Sequence, residues 1–288
     1  MKKALVILAI LSSLCLGSPV VSEVSDSQQI QAMIDTQNVV ELEGRIYNLD
    51  KTLELDSNTE LYGQAGTVLR VANGMNQHAI WCWTGTNNVY LHDFKIDGNG
   101  HNQPEARSRG IVASRPVKNW RIERVEFYNM ACNGISITHC EGLSIIDCVF
   151  HDFTREGSLE AIIAGGNGII IKGNKIWNIT GDNGITLGCS DGPAINVTCV
   201  RNIISGISAP YVGIVIFRSC PYPGSRRIQI SYNLITNSYG GVWVMECVSE
   251  VAITRNLLYN IWGFPPICVK PEVIQPIIVS GNTIINCK

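Results

Sequence analysis

Three side chains in this sequence have the chemistry for a proton transfer beside a carboxylate group. Glu160 could act as the base, His139 as the proton donor to a leaving oxygen, and Arg115 as the cation that neutralises a substrate carboxylate. Each also has an ordinary interpretation, since histidines occur in turns and arginines cover surfaces. The three can work together only if the fold brings them to one place.

The elements that must position these side chains form a sequence repeat. The phrase Asn-x-(Ile/Leu)-x-(Asn/Gly) occurs five times, at intervals of 28, 31, 23 and 26 residues. Three earlier copies have Phe94, Val125 or Cys148 in place of the asparagine. A unit of this length cannot bury its own apolar face, so neighbouring units must stack, and their asparagines can hydrogen-bond along the stack. The five asparagines are Asn174, Asn202, Asn233, Asn256 and Asn282.

Each repeat contains three strand signals. At five and three residues before the repeated position, all copies have apolar residues with mostly polar residues between them, which is strand alternation with one buried face. A second buried column lies two residues after that position, and a third strand often begins at a Gly-Ile pair such as Gly134-Ile135. Three strands per unit predict one coil of a solenoid, in which each strand pairs with its copy ~4.8 Å away in the next coil.

In these repeats the chain resembles the right-handed parallel β-helix family, within the pectate-lyase-like superfamily that has the pectin lyase fold, over residues 26–288. The resemblance implies an all-β, single-domain fold of three parallel sheets, with a short capping helix over Asp26–Asp35. About nine coils fit the chain length. We predict a signal peptide at residues 1–22, the N-terminal cap and first coil at residues 23–88, and parallel β-helix repeats at residues 89–288.

The first residues have the pattern of a cleaved secretory signal. Lys2 and Lys3 precede an apolar stretch from Ala4 to Leu16, and small residues allow cleavage after Gly17 or after Ser22. The stretch is short for a membrane span. We therefore expect a secreted protein, extracellular or at the cell surface, that does not span a membrane.

Composition and cysteine usage limit the classes of partner and cofactor that we expect. The net charge of −2 gives no electrostatic reason to expect nucleic acid. No His/Cys spacing fits a transition metal, and the loop at Asp97–Gly100 lacks the remaining acidic positions of a calcium-binding loop, so we expect no metal and no cofactor. An exported chain could form disulfides, and Cys220 with Cys247 is the best pair to test.

The resemblance also implies where a site would lie. In β-helix proteins that act on carbohydrates, the substrate usually lies along the outward face of the Gly-Ile-x-Ile strand. On that face we place Glu160 and Ile162 in one coil, in a register that can shift by one residue. Trp81 and Trp243 would lie six coils apart, ~29 Å, where a sugar chain could stack on aromatic faces; alternatively, Trp81 and Trp83 lie under the N-terminal cap. The predicted substrate-binding residues are Trp81, Trp83, Phe217, Trp243, Arg218 and Asp182.

The motifs of individual carbohydrate-active families are missing. A stretch that begins at Asp93 is similar to mannuronan C5-epimerases, but residues 136–139 read Ser-Ile-Thr-His where those enzymes have Asp-Pro-His-Glu. The Asn-Thr-Asp, Gly-His-Gly and Arg-Ile-Lys motifs of polygalacturonases do not occur, and neither does the carboxylate cluster of calcium-dependent pectate lyases. These departures favour weak or no catalysis.

Two functional classes stay open. The first is an exported protein that binds or acts on polysaccharide along the Gly-Ile-x-Ile strand face, and as an enzyme it would be a lyase, epimerase or glycoside hydrolase. The second is a non-catalytic cell-envelope or adhesion protein that binds a protein partner or self-associates. An apolar stripe on the strand after the repeated asparagine favours the second class: Ile203, Leu234 and Leu257.

Overall fold

A single α-helix begins the described part of the chain, which the computed structural model gives for residues 24–105, 107–154, 159–189, 192–217 and 224–288. The helix, α1, spans Asp26–Thr36. It begins there because the Ser25 hydroxyl accepts from the Gln28 amide while the Gln28 side chain accepts from the Ser25 amide, which is a capping box. Ile30 and Ile34 are buried on its inner side, so the predicted capping helix is confirmed.

The remaining elements form a parallel β-solenoid with three strands per coil, which we group into three faces. Face A holds the strands that precede the repeated asparagine: β1 (Val39–Leu42), β4 (Glu60–Gly63), β7 (Asn87–His92), β10 (Val117–Glu123), the second halves of β12 (Ile135–Ile146) and β14 (Ile162–Lys172), β17 (Ala194–Val200), β20 (Arg226–Ser231), β23 (Ser249–Thr254) and β26 (Ile277–Ser280).

Face B holds the strands that follow the asparagine: β2 (Ile46–Leu49), β5 (Val68–Val71), β8 (Lys95–Asp97), β11 (Glu126–Tyr128), β13 (Val149–Phe153), β15 (Lys175–Ile179), β18 (Ile203–Ile207), β21 (Leu234–Ser238), β24 (Leu257–Ile261) and β27 (Thr283–Ile285). Face C holds the Gly-Ile strands: β3 (Leu53–Glu54), β6 (Ile80–Cys82), β9 (Ile111–Ala113), the first halves of β12 and β14, β16 (Ile185–Leu187), β19 (Val212–Ile216), β22 (Gly240–Val244) and β25 (Ile267–Val269).

Within the described residues, face B contributes ten strands and face C nine, so the solenoid has nine complete coils and part of a tenth. We number them so that coil 1 contains β1–β3 and coil 10 contains β26 and β27. Face B is a separate 10-stranded sheet, whereas faces A and C belong to one 17-stranded sheet. They are joined because β12 and β14 continue through the corner, with a register shift between Ile137 and Cys140. The three predicted strand columns are thus confirmed, and two of them are connected.

The core consists of columns of apolar side chains that point inward. Phe127 and Phe150 of adjacent coils are fully buried and stack with ring centroids 4.7 Å apart and planes at 2°. Full burial of one such side chain stabilises the fold by roughly 1.5–3 kcal/mol. In coil 10 the equivalent inward residues Val279 and Ile284 are 48% and 51% exposed, so the central coils contain most of the buried surface.

The repeated asparagines form a hydrogen-bonded ladder at the corner between faces A and B. The Nδ2 group of Asn202 donates to Oδ1 of Asn233 at 2.9 Å and to the Ile171 carbonyl at 3.1 Å. Its Oδ1 accepts from the backbone and side-chain N–H groups of Asn174, both at 3.0 Å. The same pattern continues to Asn282. The ladder satisfies turn groups that cannot reach water, as the repeat predicted.

Most of the residues on which the export prediction rests lie outside the described part of the chain. Residues 1–22, the predicted signal peptide, lie outside the described residues. Within the described ranges, α1 is too short and too polar to span a membrane. Cys247 is disulfide-bonded, while its predicted partner Cys220 lies in a part of the chain that is not described.

Candidate functional site

The outward column of face C is set by the strand register, and it differs from the prediction in one coil. Ile135 pairs with Ile162, and Ser136 with Ile163. Ala161 therefore takes the position before the strand that glycine holds in the neighbouring coils, and the prediction that Glu160 and Ile162 point outward is wrong. The column reads Trp81, Val112, Ser136, Ile163, Thr186, Val215, Trp243 and Cys268.

Most of the central positions of this column are covered. Val112, Ser136, Thr186 and Val215 are only 2–7% exposed although their side chains lie on the outer side of the sheet. A polymer cannot contact them directly. Apart from Ile163, which is half-buried, the middle of the predicted binding path therefore offers little accessible surface.

Glu160 lies in a buried polar chain at the corner where the backbone enters face C. Arg109 Nε donates to Oδ1 of Asn133 at 2.9 Å, and Asn133 Nδ2 donates to the Glu160 carboxylate. Asn133 is fully buried and Glu160 nearly so. Because the Glu160 carboxylate accepts from a neighbouring coil, its position is explained by packing.

His139 and Arg115 lie at the opposite corner, where the backbone leaves face C. His139 follows Thr138 within β12, where this strand passes from face C to face A, and its Nδ1 is 3.0 Å from the Thr138 hydroxyl. Glu160 lies in the same register column as Asn133. Asn133 precedes His139 by six residues, a chain length of at most ~20 Å that spans the width of face C. The structure therefore does not bring together the three residues predicted to act in proton transfer.

At the N-terminal end of face C, Trp81 and Trp83 form an aromatic cluster. Their ring centroids lie 4.5 Å apart at 85°, and Trp81 also meets His78 edge to face at 5.1 Å. The Trp81 indole N–H donates to the Ser114 hydroxyl at 3.0 Å. Burial and the nearby Arg109 guanidinium lower the pKa of His78 to about 4, so this imidazole is neutral at pH 7. Trp83 is 55% exposed and is the accessible ring of the cluster.

At the other end of face C, Trp243 is half-buried. Its ring lies 5.3 Å from that of Phe264, and Lys270 Nζ lies 5.7 Å above it. Asp182 accepts hydrogen bonds from the backbone and side chain of Asn183 at 2.8 and 2.7 Å, as in a turn. Arg218, also predicted to bind substrate, lies outside the described residues.

An open groove runs along the corner between faces C and A. Its volume is about 460 Å³. One side of the groove is formed by residues near the start of the face A strands, which pair with one another from coil to coil. This side runs from Asn87 in coil 3 to Ile195 in coil 7, so its length is four coil steps, or ~19 Å. We call this the corner groove, and it is lined by Asn87, Pro116, Val117, Lys118, Thr138, His139, Cys140, Glu141, Gly166, Asn167, Gly192, Pro193 and Ile195.

At the corner groove, glycines allow backbone segments of different coils to approach closely. Gly166 has φ +121°, and a Cβ there would lie 2.3 Å from the Cys140 nitrogen. A Cβ on Gly192 would lie 2.1 Å from the Thr138 carbonyl oxygen. The sequence predictions missed this groove, although two consecutive glycines inside a strand, Gly165 and Gly166, are a signal of close backbone approach.

The polar groups of the corner groove suit a ligand rich in hydroxyl groups. Lys118 and Glu141 form an exposed ion pair at 3.1 Å, and the Asn167 side-chain oxygen accepts from Asn196 at 2.7 Å. Burial raises the pKa of Cys140 to about 12, so its thiol is protonated and is not a nucleophile at pH 7. Among the described residues, no group of three or more His, Cys, Asp or Glu side chains could hold a metal ion.

Two of the predicted substrate-binding residues lie in the register column that meets this groove at Thr138. Trp83, Ser114 and Thr138 follow the paired ends of successive face C strands. Phe217 follows Ile216, which pairs with Leu187, so it occupies the same column in coil 7. Trp83 in coil 2 and Phe217 in coil 7 are thus five coil steps apart, ~24 Å, with Thr138 between them.

The chain belongs to the right-handed β-helix family. Residues 78–258 match the family described as the right-handed beta helix region, which fixes the handedness of the coil. The chain is 30% identical over 175 residues to the pre-neck appendage protein of Bacillus phage B103, a match that covers 56% of this chain and 17% of that protein. The chain thus spans about a sixth of the curated relative that it matches.

Solved structures share the same fold. A Family 28 exopolygalacturonase from Yersinia enterocolitica superposes with a TM-score of 0.70 at 15% identity, covering 90% of this chain and 61% of that one. The A-module of a mannuronan C-5 epimerase from Azotobacter vinelandii superposes with a TM-score of 0.58 at 18% identity, covering 91% and 92%. At these identities the likeness shows the pectate-lyase-like fold alone.

Proposed function

We propose that the protein binds an extended polysaccharide in the corner groove, with the chain of sugars parallel to the solenoid axis. The open groove itself is the observation that carries this proposal, because the middle of the outward column of face C offers little accessible surface. Enzymes that act on polysaccharides share the fold, which is consistent with the proposal.

The two ends of the path supply aromatic surfaces. Trp83 is exposed at one end and Phe217 is half-buried at the other. Between them, His139, Lys118 and Asn167 offer hydrogen-bonding groups to sugar hydroxyls. The apolar side chains of Pro116 and Pro193 contact the less polar faces of the sugar rings.

The activity proposed is binding, and no catalytic role is assigned to His139, Arg115 or Glu160. A base and an acid for a sugar ring must both lie within hydrogen-bond reach of it, whereas Glu160 and His139 lie at opposite corners of face C. We further propose that the protein is exported and binds its polysaccharide outside the cell. To test this, the full chain is expressed and the mass of the secreted protein is measured by mass spectrometry. Export with cleavage of the signal peptide predicts a mass that lacks residues 1–22.

The binding proposal is tested with an array of polysaccharides, including uronate polymers. We expect Trp83→Ala and His139→Ala each to weaken binding of any polymer retained by the wild type by about 3–10-fold, through the loss of one aromatic contact and of one hydrogen bond, respectively. Tyr232→Ala removes an exposed aromatic ring elsewhere on the solenoid and is the matched control. Unchanged binding by both groove variants would contradict the proposal, and formation of an unsaturated uronate product would show a lyase instead.

Self-association is a second proposed property, and the exposure of the apolar stripe favours it. Ile203, Leu234 and Leu257 lie in one register column of face B. Ile203 and Leu257 are exposed and Leu234 is half-buried. Large apolar side chains in a continuous outer stripe mark a contact surface.

A further inference from the structure

The outward side of face B changes character along the solenoid. In coils 2–5 it presents charged side chains, including the Lys95–Glu126 ion pair at 2.9 Å. In coils 6–10 its two outward columns contain Lys175 as their one charged residue. These columns read Lys175, Ile203, Leu234, Leu257 and Thr283, and Trp177, Ser205, Thr236, Tyr259 and Ile285.

This apolar half also has a protrusion at Tyr259 in coil 9 and a notch at Ser205 and Gly206 in coil 7. Ile203, Leu257, Trp177, Tyr259 and Ile285 are each 37–44% exposed. Coil 7, in contrast, presents only small groups beside Ile203, namely Ser205 and Gly206. Gly206 has a φ of +64° at a position where the adjacent coils have Asn178 and Asn237, also at positive φ. The notch in coil 7 and the Tyr259 ring in coil 9 lie at equal distances from coil 8, on its two sides.

We propose that two copies of the chain pack face B against face B about a two-fold axis at coil 8, parallel to the strands. This arrangement rests on the self-association proposed above and is independent of polysaccharide binding. The rotation reverses the solenoid axis and keeps each column opposite itself, so coil 7 faces coil 9 and coil 6 faces coil 10. Tyr259 of each copy fills the notch of the other, Ile203 faces Leu257, and Leu234 faces its own copy.

Other arrangements match the surface less well. A two-fold axis along the solenoid would place residues of one coil opposite each other, with Ile203 against Ser205 and Leu234 against Thr236. An axis nearer to the N-terminus would bury the Lys95–Glu126 pair, and the desolvation of such a pair opposes association. The axis at coil 8 leaves coils 2–5 outside the contact.

The size of the surface determines how strong the dimer is. Five coils span four steps, ~19 Å, and the outward columns are a few residues wide. This area lies at the low end for specific interfaces. We therefore expect a dimer whose population rises with protein concentration.

The arrangement is tested by exchanging charges across the predicted contact. Sedimentation of the full wild-type chain should show mass rising from monomer towards dimer with concentration. Ile203→Lys and Leu257→Glu should each sediment as monomers, since each variant places charges against apolar side chains. An equimolar mixture of the two should recover the dimer, because the introduced ammonium group of one variant meets the introduced carboxylate of the other. The double variant should recover it alone.

The outcomes separate the two proposals. A wild type that is monomeric at all concentrations would overturn self-association together with the arrangement. A wild-type dimer whose single variants stay monomeric when mixed would overturn the arrangement at coil 8 alone. Circular dichroism checks that both variants are folded. If either is not, the test uses the milder variants Ile203→Gln and Leu257→Gln, each of which should lower the dimer population. Lys118→Gln is the control and should leave the dimer population unchanged. An unchanged dimer population in both glutamine variants would overturn the proposal.

Discussion

At the scale of single residues, the buried amide of Asn202 connects three coils. We expect Asn202→Ala to lower the free energy of unfolding by about 2–3 kcal/mol, because the Ile171 carbonyl and the Asn174 N–H groups lose their partner without access to water. Denaturant unfolding measures the change. Gln64→Ala, which removes an exposed hydrogen bond of 3.2 Å to Glu41, is the control and should cost less than about 0.5 kcal/mol. Equal losses in the two variants would contradict a special role for the ladder.

Glu160 shows what the sequence could and could not predict about a site. Its residue type is right for a catalytic base, yet its carboxylate accepts from buried Asn133. We expect Glu160→Ala to destabilise the fold by about 1–3 kcal/mol, since the Asn133 amide is left unpaired, and Glu160→Gln to cost less because an acceptor oxygen is kept. Thermal unfolding of the two variants decides this. A larger loss with glutamine than with alanine would argue against the hydrogen bond as the cause.

The stability of the fold should depend on pH through Asp93. Two hydrogen bonds of 2.7 Å from Arg124 lower the pKa of the Asp93 carboxyl to about 2. Because the folded-state pKa lies below the unfolded value, the stabilisation is present above about pH 4 and is lost as the pH falls towards 2. Between pH 4 and 2, the free energy of unfolding should decline less steeply with falling pH in Arg124→Met than in the wild type. Arg227→Met removes the same charge from an exposed pair with Glu250 and should leave the slope unchanged.

At the scale of elements, the corner groove depends on glycine at one point of β14. We expect Gly166→Ala to destabilise the fold by more than about 2 kcal/mol, because the added carbon meets the Cys140 backbone at 2.3 Å and the backbone has positive φ. Gly168→Ala is the matched control. Gly168 also has positive φ, +74°, but its nearest neighbouring atom would be 3.5 Å away, so the loss should be about 1–2 kcal/mol. Chemical denaturation compares them, and equal losses would mean that close approach of the backbones is unimportant.

Strand positions were predictable because they depend on local alternation. The inward columns of faces A and B follow from apolar residues at every second position, and the repeat sets which strands pair. The register of coil 5 failed because Ala161 replaces the glycine that marks the strand start in Gly134 and Gly184. The corner groove could not be predicted by alternation, since it arises from the distance between backbones of different coils.

At the scale of the whole molecule, each coil contacts mainly its neighbours, so stability should vary along the axis. Inward residues of the central coils are fully buried, whereas Val279 and Ile284 of coil 10 are about half exposed. We expect amide hydrogens of β12–β20 to exchange slowest and those of β26 and β27 to exchange fastest. Hydrogen exchange followed by mass spectrometry measures this, and uniform protection along the solenoid would show a single cooperative unit instead.

The constant register between coils has a consequence for how such a molecule can diversify. The separation of Trp83 from Phe217 is a whole number of coil steps, so it can change only by ~4.8 Å for each coil inserted or removed. Duplication of one repeat would lengthen the path by one step and leave the contacts inside every other coil intact. The length of ligand accepted by descendants of this chain would therefore vary in discrete increments, counted in repeats.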